Sequence, residues 1–92
     1  MDVSYDEILK RSNGIIIDIR SFYEYQKGHI SGAICIPEQE LINSSSKYLK
    51  KDITYYLYCN HGHRSKNVSN FLNKLGYHTV NILGGYYNSL LR

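Results

Sequence analysis

Ile15-Ile16-Ile17-Asp18-Ile19 puts β-branched apolar side chains on both alternating faces of one short segment. A strand with one wetted face would alternate apolar and polar residues, so this run predicts a strand buried on two sides. A strand of that kind needs helices above and below it. The rest of the chain supplies them in alternation with further short apolar runs.

Ser4 and Glu7 have capping-box spacing and predict a first helix from Tyr5 to about Arg11, broken by Asn13-Gly14. Ser21 and Glu24 repeat that spacing for a second helix, ending near Lys27-Gly28. Ala33-Ile34-Cys35-Ile36 is a short apolar run stopped by Pro37, the single proline. Glu38 to Leu49 reads as helical in parts, interrupted by Asn43-Ser44-Ser45-Ser46. A strand from Ile53 to Tyr58 follows. Ser65 to Leu75 carries Val68, Phe71, Leu72 and Leu75 on one 3.6-residue face, closed by Gly76. Thr79 to Leu83 reads as a last strand, and Gly84-Gly85 introduces a helix to Leu91. Strands alternating with helices predict an α/β fold, a mostly parallel sheet covered on both faces. No internal repeat or linker divides the 92 residues, so one domain over 1–92 is expected.

Composition removes several classes of function. With 42% hydrophobic and 21% charged residues the chain is neither disordered nor collagen-like. Its net charge of +3 is scattered, and Lys47-Tyr48-Leu49-Lys50-Lys51 reads as a solvated helix end. No nucleic-acid partner is expected from it, and the mild basic surplus suits small anionic substrates. No stretch approaches the roughly 18 apolar residues of a membrane helix, so no membrane partner is expected. Met1 to Glu7 lacks the basic-then-apolar order of a signal peptide, which leads to an expected cytoplasmic location. There a structural disulfide between Cys35 and Cys59 is not expected; one thiol should be reactive and the other a small core residue.

Cys59-Asn60-His61-Gly62-His63-Arg64-Ser65 runs straight off the apolar segment Tyr55-Tyr56-Leu57-Tyr58. The cysteine stands where a strand ends, at the sheet edge where parallel α/β proteins bind ligands. A short loop with a glycine and a cation follows, and then a helix begins. Such a loop can turn backbone N–H groups onto a sulfur and set a helix N-terminus behind it, both of which favour an anion. Cys59 is therefore the candidate nucleophile, its thiol pulled below the free value near ~8.5. The bland alternative is a buried, inert cysteine.

Four segments in order, from about Ile15 to Tyr87, resemble the rhodanese-like sulfurtransferase family. Asp18-Ile19-Arg20 with Glu24 is similar to its D-x-R-x-x-x-E segment. Gly28-His29-Ile30-Ser31-Gly32-Ala33 with Ile36-Pro37 is similar to its G-H-I-x-G-A-x-x-I-P stretch. Cys59 to Ser65 is similar to its C-x-x-G-x-R-S loop, and Gly84-Gly85 to the glycine pair before its last helix. Tyr86 and Tyr87 stand where the family often has tryptophan. The resemblance implies a five-stranded rhodanese-like domain. As a departure from the family, the chain is short at both ends, and the first strand, near Asp2-Val3, is expected to be reduced. The resemblance also implies persulfide chemistry at Cys59, with thiosulfate or a related anion as sulfur donor and a thiol or cyanide as acceptor.

The other site residues follow from that reading. Asn60, His61 and His63 are expected to offer backbone N–H groups and to line the rim with their side chains. Gly62 should take a conformation that a β-carbon disfavours. Arg64 reads either as a cation beside the donor or as a structural pair for a carboxylate, with orienting the loop at least as important. Asp18, Arg20 and Glu24 could be acid–base machinery, but read better as a buried ion-pair network tying the first helix to the loop. His29 is expected to bond backbone near a turn. Cys59, His61 and His63 invite a metal reading, yet they sit on one tight loop without a C-x₂-C partner, so no metal or other cofactor is expected. The ten tyrosines are expected to fill the edges of a small sheet. Two rival functions stand beside the enzyme: a persulfide carrier or sensor acting with a sulfur-relay protein, and a phosphatase or arsenate reductase. Phosphatase-type loops have C-x₅-R, one residue longer than Cys59 to Arg64.

Overall fold

The computed structural model describes residues 2–10 and 13–91. The elements in chain order are β1 (Asp2–Val3), α1 (Tyr5–Leu9), β2 (Ile15–Asp18), α2 (Phe22–Lys27), β3 (Ile34–Cys35), α3 (Glu38–Asn43), α4 (Ser45–Tyr48), β4 (Thr54–Tyr58), α5 (His63–Lys74), β5 (His78–Ile82) and α6 (Gly85–Ser89). The strands form one sheet in the order β1-β5-β4-β2-β3, and every neighbouring pair is parallel. The expected α/β architecture is present, and β1 is described over two residues.

Side-chain alternation sorts the core into two layers. Ile17, Tyr55 and Leu57 point to the face covered by α3, α4 and α5, where Leu41, Leu49, Val68 and Leu72 meet them. Tyr56, Tyr58, Val80 and Ile82 point to the opposite face, against Ile8 of α1, with Tyr25 of α2 and Tyr86 of α6 packed alongside. Fully burying a side chain such as Leu41, Leu57 or Leu72 contributes about 1.5–3 kcal/mol against its solvated state. Ile17 and Leu57, adjacent in register, make β2 and β4 the interior of the sheet.

Both capping boxes form. Ser4 Oγ accepts the Glu7 N–H and Glu7 Oε1 accepts the Ser4 N–H, each at 3.1 Å. Ser21 and Glu24 do the same at 3.2 Å. α1 closes at Leu9; the end expected near Arg11 lies outside the described residues.

Several boundaries differ from expectation. The interruption expected over Asn43 to Ser46 shrinks to Ser44, since Ser45 and Ser46 lie in α4. The Ser45 hydroxyl donates to the Leu41 carbonyl at 2.9 Å, satisfying a group that the break leaves open. α5 starts at His63 rather than Ser65, because left-handed Gly62 (φ +93°) redirects the chain into the helix. Its buried stripe is Ser65, Val68, Ser69 and Leu72, while Phe71 and Leu75 are exposed. Two small serines let α5 lie close to β5, where the Ser69 and Thr79 hydroxyls meet at 2.6 Å. α6 ends at Ser89, short of Leu91.

The chain leaves β2 toward β3 on one side and leaves β4 toward β5 on the other. The carboxyl ends of β2 and β4 therefore flank the point where the winding reverses, where open parallel sheets hold ligands. Cys59 follows directly on β4 at that point.

Candidate active site

Cys59 is 2% exposed, and two backbone amides and one hydroxyl converge on its sulfur. The Gly62 N–H lies at 3.1 Å, the Ser65 N–H at 3.4 Å and the Ser65 Oγ at 3.3 Å. Burial opposes ionisation of this thiol, but the Ser65 hydroxyl and the amides of Ser65, Gly62 and His61 outweigh it and hold the group below the ordinary thiol value. Of the amides expected to serve the sulfur, those of Asn60 and His63 are not among these; Gly62 and Ser65 take that part, from a left-handed turn and the first turn of α5.

The loop's carbonyls are held facing the other way. At the start of α6 the Tyr86 N–H donates to the Cys59 carbonyl at 2.8 Å, and the Tyr87 N–H to the Asn60 carbonyl at 3.1 Å. With the oxygens fixed outward, the loop N–H groups are left to face the sulfur. Gly85 (φ +64°) makes this approach possible: a Cβ there would run into the Cys59 carbonyl oxygen and lie 2.7 Å from the Asn60 carbonyl.

Beneath the loop, Arg20 uses its planar fork as a hub. Its Nε donates to both Asp18 oxygens at 3.0 Å, Nη2 donates to Asp18 Oδ2 and the Gly28 carbonyl at 2.7 Å, and Nη1 donates to Asn60 Oδ1 at 3.1 Å. Asn60 Nδ2 donates in turn to Glu24 Oε2 at 2.8 Å. The network runs through α2, the second helix rather than the first. Only the Asp18–Arg20 part is fully buried, with side chains 0% and 3% exposed. Asn60 is thereby clamped from both ends of its amide, so its side chain is an anchor for the loop rather than free rim. His29 stands apart: it is exposed, its Nδ1 is 2.8 Å from the Tyr25 carbonyl, and its ring stacks on Tyr25.

At the rim, Arg64 Nε donates to Glu38 Oε1 at 2.8 Å, with the Arg64 side chain 55% exposed. Arg64 thus has a carboxylate partner and still faces solvent with other donors. A cavity of about 180 Å³ is lined by Cys59, Asn60, His61, His63 and Arg64. A larger cleft of about 570 Å³ lies at the amino end of β4 and β5, among Thr54, Tyr56 and His78, away from Cys59. Among the described residues no group of three or more His, Cys, Asp or Glu side chains is arranged to hold a metal, and no helix is long and apolar enough to cross a membrane. Both cysteines are free thiols. Cys35 is only partly buried, on edge strand β3, so it is not the core residue expected; burial raises its thiol.

Sequence reasoning passed over four contributors. Tyr58 is not edge filler: it is fully buried on β4, donates to Asp18 Oδ2 at 2.7 Å and accepts the Ile30 N–H at 3.1 Å. Burial and then the Asp18 carboxylate push its hydroxyl far above the usual phenol value, so it stays a neutral donor. Tyr86 lays its ring 4.3 Å from the Arg20 guanidinium carbon. Glu38 pairs with Arg64, and Asn81 accepts from Ser65. An acidic residue just after Pro37 was a readable signal for Glu38; the others carried none.

Comparison with known proteins agrees with this architecture. The rhodanese-like domain family profile matches residues 3–90, and the chain belongs to that family. It is 36% identical over 70 residues to the thiosulfate sulfurtransferase PspE of Escherichia coli K12, covering 75% of this chain and 67% of that protein. It is 32% identical over 71 residues to the putative sulfur carrier protein YrkF of Bacillus subtilis 168, covering 76% of this chain but 38% of that one. The human single-domain sulfurtransferase TSTD1 superposes with a TM-score of 0.86 at 26% identity, covering 99% of this chain and 96% of the other. The relatives thus include proteins named as sulfurtransferases and one named as a sulfur carrier.

Proposed function

We propose that the chain is a sulfurtransferase that carries sulfane sulfur as a persulfide on Cys59. One observation carries the reading: two backbone amides and one hydroxyl converge on a single sulfur atom at the end of β4. The likeness to PspE supports thiosulfate as the donor.

In the proposed cycle the Cys59 thiolate attacks the outer sulfur of thiosulfate. A new S–S bond forms, the thiosulfate S–S bond breaks, and its electron pair leaves with sulfite. An acceptor thiolate or cyanide then attacks the terminal sulfur of the persulfide, and the pair of the breaking S–S bond returns to Cys59 as thiolate. Sulfur transfer to an existing thiolate needs no general base, metal or organic cofactor. Asp18, Arg20 and Glu24 act in this scheme by fixing Asn60 and the loop, and Arg64 by presenting positive charge to an anionic donor at the rim. A catalytic thiol that must return to its reduced form suits a reducing compartment, and the proposed location is the cytoplasm.

The likeness to YrkF favours a second reading, a persulfide carrier that hands its sulfur to a protein partner. A phosphatase is disfavoured because only four residues separate Cys59 from Arg64 and because Arg64 pairs outward with Glu38.

Intact mass after incubation with thiosulfate tests the proposal, followed by cyanide addition. A gain of about 32 Da, one sulfur, on Cys59 and catalytic release of thiocyanate are expected. Loading with negligible turnover selects the carrier. Failure to load, with faster hydrolysis of an aryl phosphate, overturns both.

A further inference from the structure

Ser65 Oγ owns one proton and faces two groups that compete for it. It lies 2.5 Å from Asn81 Oδ1 and 3.3 Å from Cys59 Sγ. All three residues are buried, at 0%, 2% and 2% exposure for Ser65, Asn81 and Cys59. A hydroxyl has one O–H to give and two lone pairs to offer. While the O–H goes to Asn81, Ser65 shows the sulfur only lone pairs, and Cys59 answers as an S–H donor. That arrangement favours the thiol relative to one in which the O–H faces the sulfur. A thiolate needs the O–H turned onto sulfur, which takes the donor away from a buried Asn81 oxygen, a costly loss.

What directs Asn81 is at the surface. Lys66 Nζ grips both oxygens of Asp2 at 2.8 and 2.7 Å. Lys66 first, and also the Asn81 amide, lower the Asp2 carboxyl against the opposing effect of burial. Asp2 is the in-register partner of Asn81 across β1 and β5, and an amide whose oxygen accepts from Ser65 has its NH₂ left to offer a neighbouring carboxylate.

We propose that Asn81 is a positioning residue that decides whether the Ser65 hydroxyl points at Asn81 or at the Cys59 sulfur, and that the Asp2–Lys66 pair locks it in the orientation that draws the hydroxyl away. Removing that pair frees the amide to turn its N–H onto Ser65 Oγ, and the Ser65 O–H then goes to sulfur. The proposal rests on Cys59 being the reacting thiol. Other charges around the sulfur are paired or bonded elsewhere: Arg64 to Glu38, Arg20 to Asp18, and Glu24 to Asn60. His61 and His63 flank the loop and are unchanged in every variant below.

The test is the pH dependence of iodoacetamide alkylation of Cys59 in a Cys35→Ser background, which reads ionisation without requiring sulfur transfer. Ser65→Ala should raise the midpoint, because the thiolate loses its hydroxyl donor. Asn81→Ala should lower it by about half a pH unit, roughly a threefold gain in thiolate at neutral pH. In the Ser65→Ala background, Asn81→Ala should then shift nothing. The double variant Asp2→Ala/Lys66→Ala leaves net charge unchanged, touches partly exposed side chains, and should lower the midpoint as Asn81→Ala does. It decides the matter if Asn81→Ala does not fold, and a midpoint unchanged or raised in it overturns the proposal. Opposite-signed shifts without any thiosulfate loading would refute sulfur transfer and leave the relay standing.

Discussion

The Tyr86 N–H donates to the carbonyl oxygen of Cys59 at 2.8 Å, so the first turn of α6 holds the Cys59 peptide itself. That contact turns the loop's oxygens outward and leaves its amides to the sulfur. It depends on Gly85, which has room for no side chain against the loop.

Gly85→Ala should therefore damage the site more than the fold. A left-handed position and a clash with backbone cost on the order of 1–3 kcal/mol, read as a lower urea midpoint. Displacing the loop should cut the rate of sulfur loading on the order of tenfold or more, read by intact mass against time. Wild-type loading in this variant would show that α6 does not set the loop.

Cys59→Ser should abolish sulfur loading with unchanged circular dichroism, because a serine hydroxyl forms no persulfide at neutral pH. Cys35→Ser should keep most of the activity. Equal loss in both folded variants would refute the assignment of the nucleophile.

Asp18→Asn should be the most destabilising single change at the site. Breaking a buried ion pair and leaving the other charge in place costs about 3–5 kcal/mol, and here it also disturbs Tyr58, whose hydroxyl donates to Asp18. Urea unfolding measures it; a loss near zero would mean that Arg20 is held by its other partners alone.

Cys59 ionises below the ordinary thiol value, its hydrogen bonds outweighing the burial that opposes them. The unfolded thiol titrates near ~8.5. The folded protein thus releases this proton first, and stability from Cys59 is full above the unfolded value and lost as pH falls through the lowered folded one. The urea midpoint of the wild type relative to Cys59→Ser should rise from neutral pH toward pH ~9. A difference that stays flat or falls contradicts the thiolate.

Arg64→Gln should separate binding from structure. Its pair with Glu38 is exposed and worth at most about 1 kcal/mol, so the Tm should hardly move. The KM for thiosulfate should rise about tenfold with kcat little changed. Unchanged KM would confine Arg64 to the ion pair.

Local features were the legible ones. Both capping boxes and the two-faced run at Ile15 to Ile19 marked their elements, because helix starts and strand burial follow from spacing within a few residues. Phe71 and Leu75, apolar at helical spacing, fall outside the buried face of α5 because Ser65 and Ser69, polar in sequence, take buried positions through partners on β5. Tyr58 looked like filler for the same reason. Its role depends on Asp18, 40 residues away.

Sequence alone determined which residue stands at the end of β4, how few residues separate Cys59 from Arg64, and that Gly62 would have to turn the chain between them. Those are contiguous facts, set by local backbone sterics and by the side chains themselves. Only the tertiary structure decided what holds and tunes that sulfur: Arg20 and Glu24 clamping Asn60, Gly85 and Tyr86 bracing the peptide, and Asn81 competing for the Ser65 proton. In a parallel sheet each strand pairs with one that lies a whole crossover away in sequence. Groups that meet at the carboxyl ends of β2, β4 and β5 are therefore 16 to 40 residues apart, beyond the reach of any local pattern.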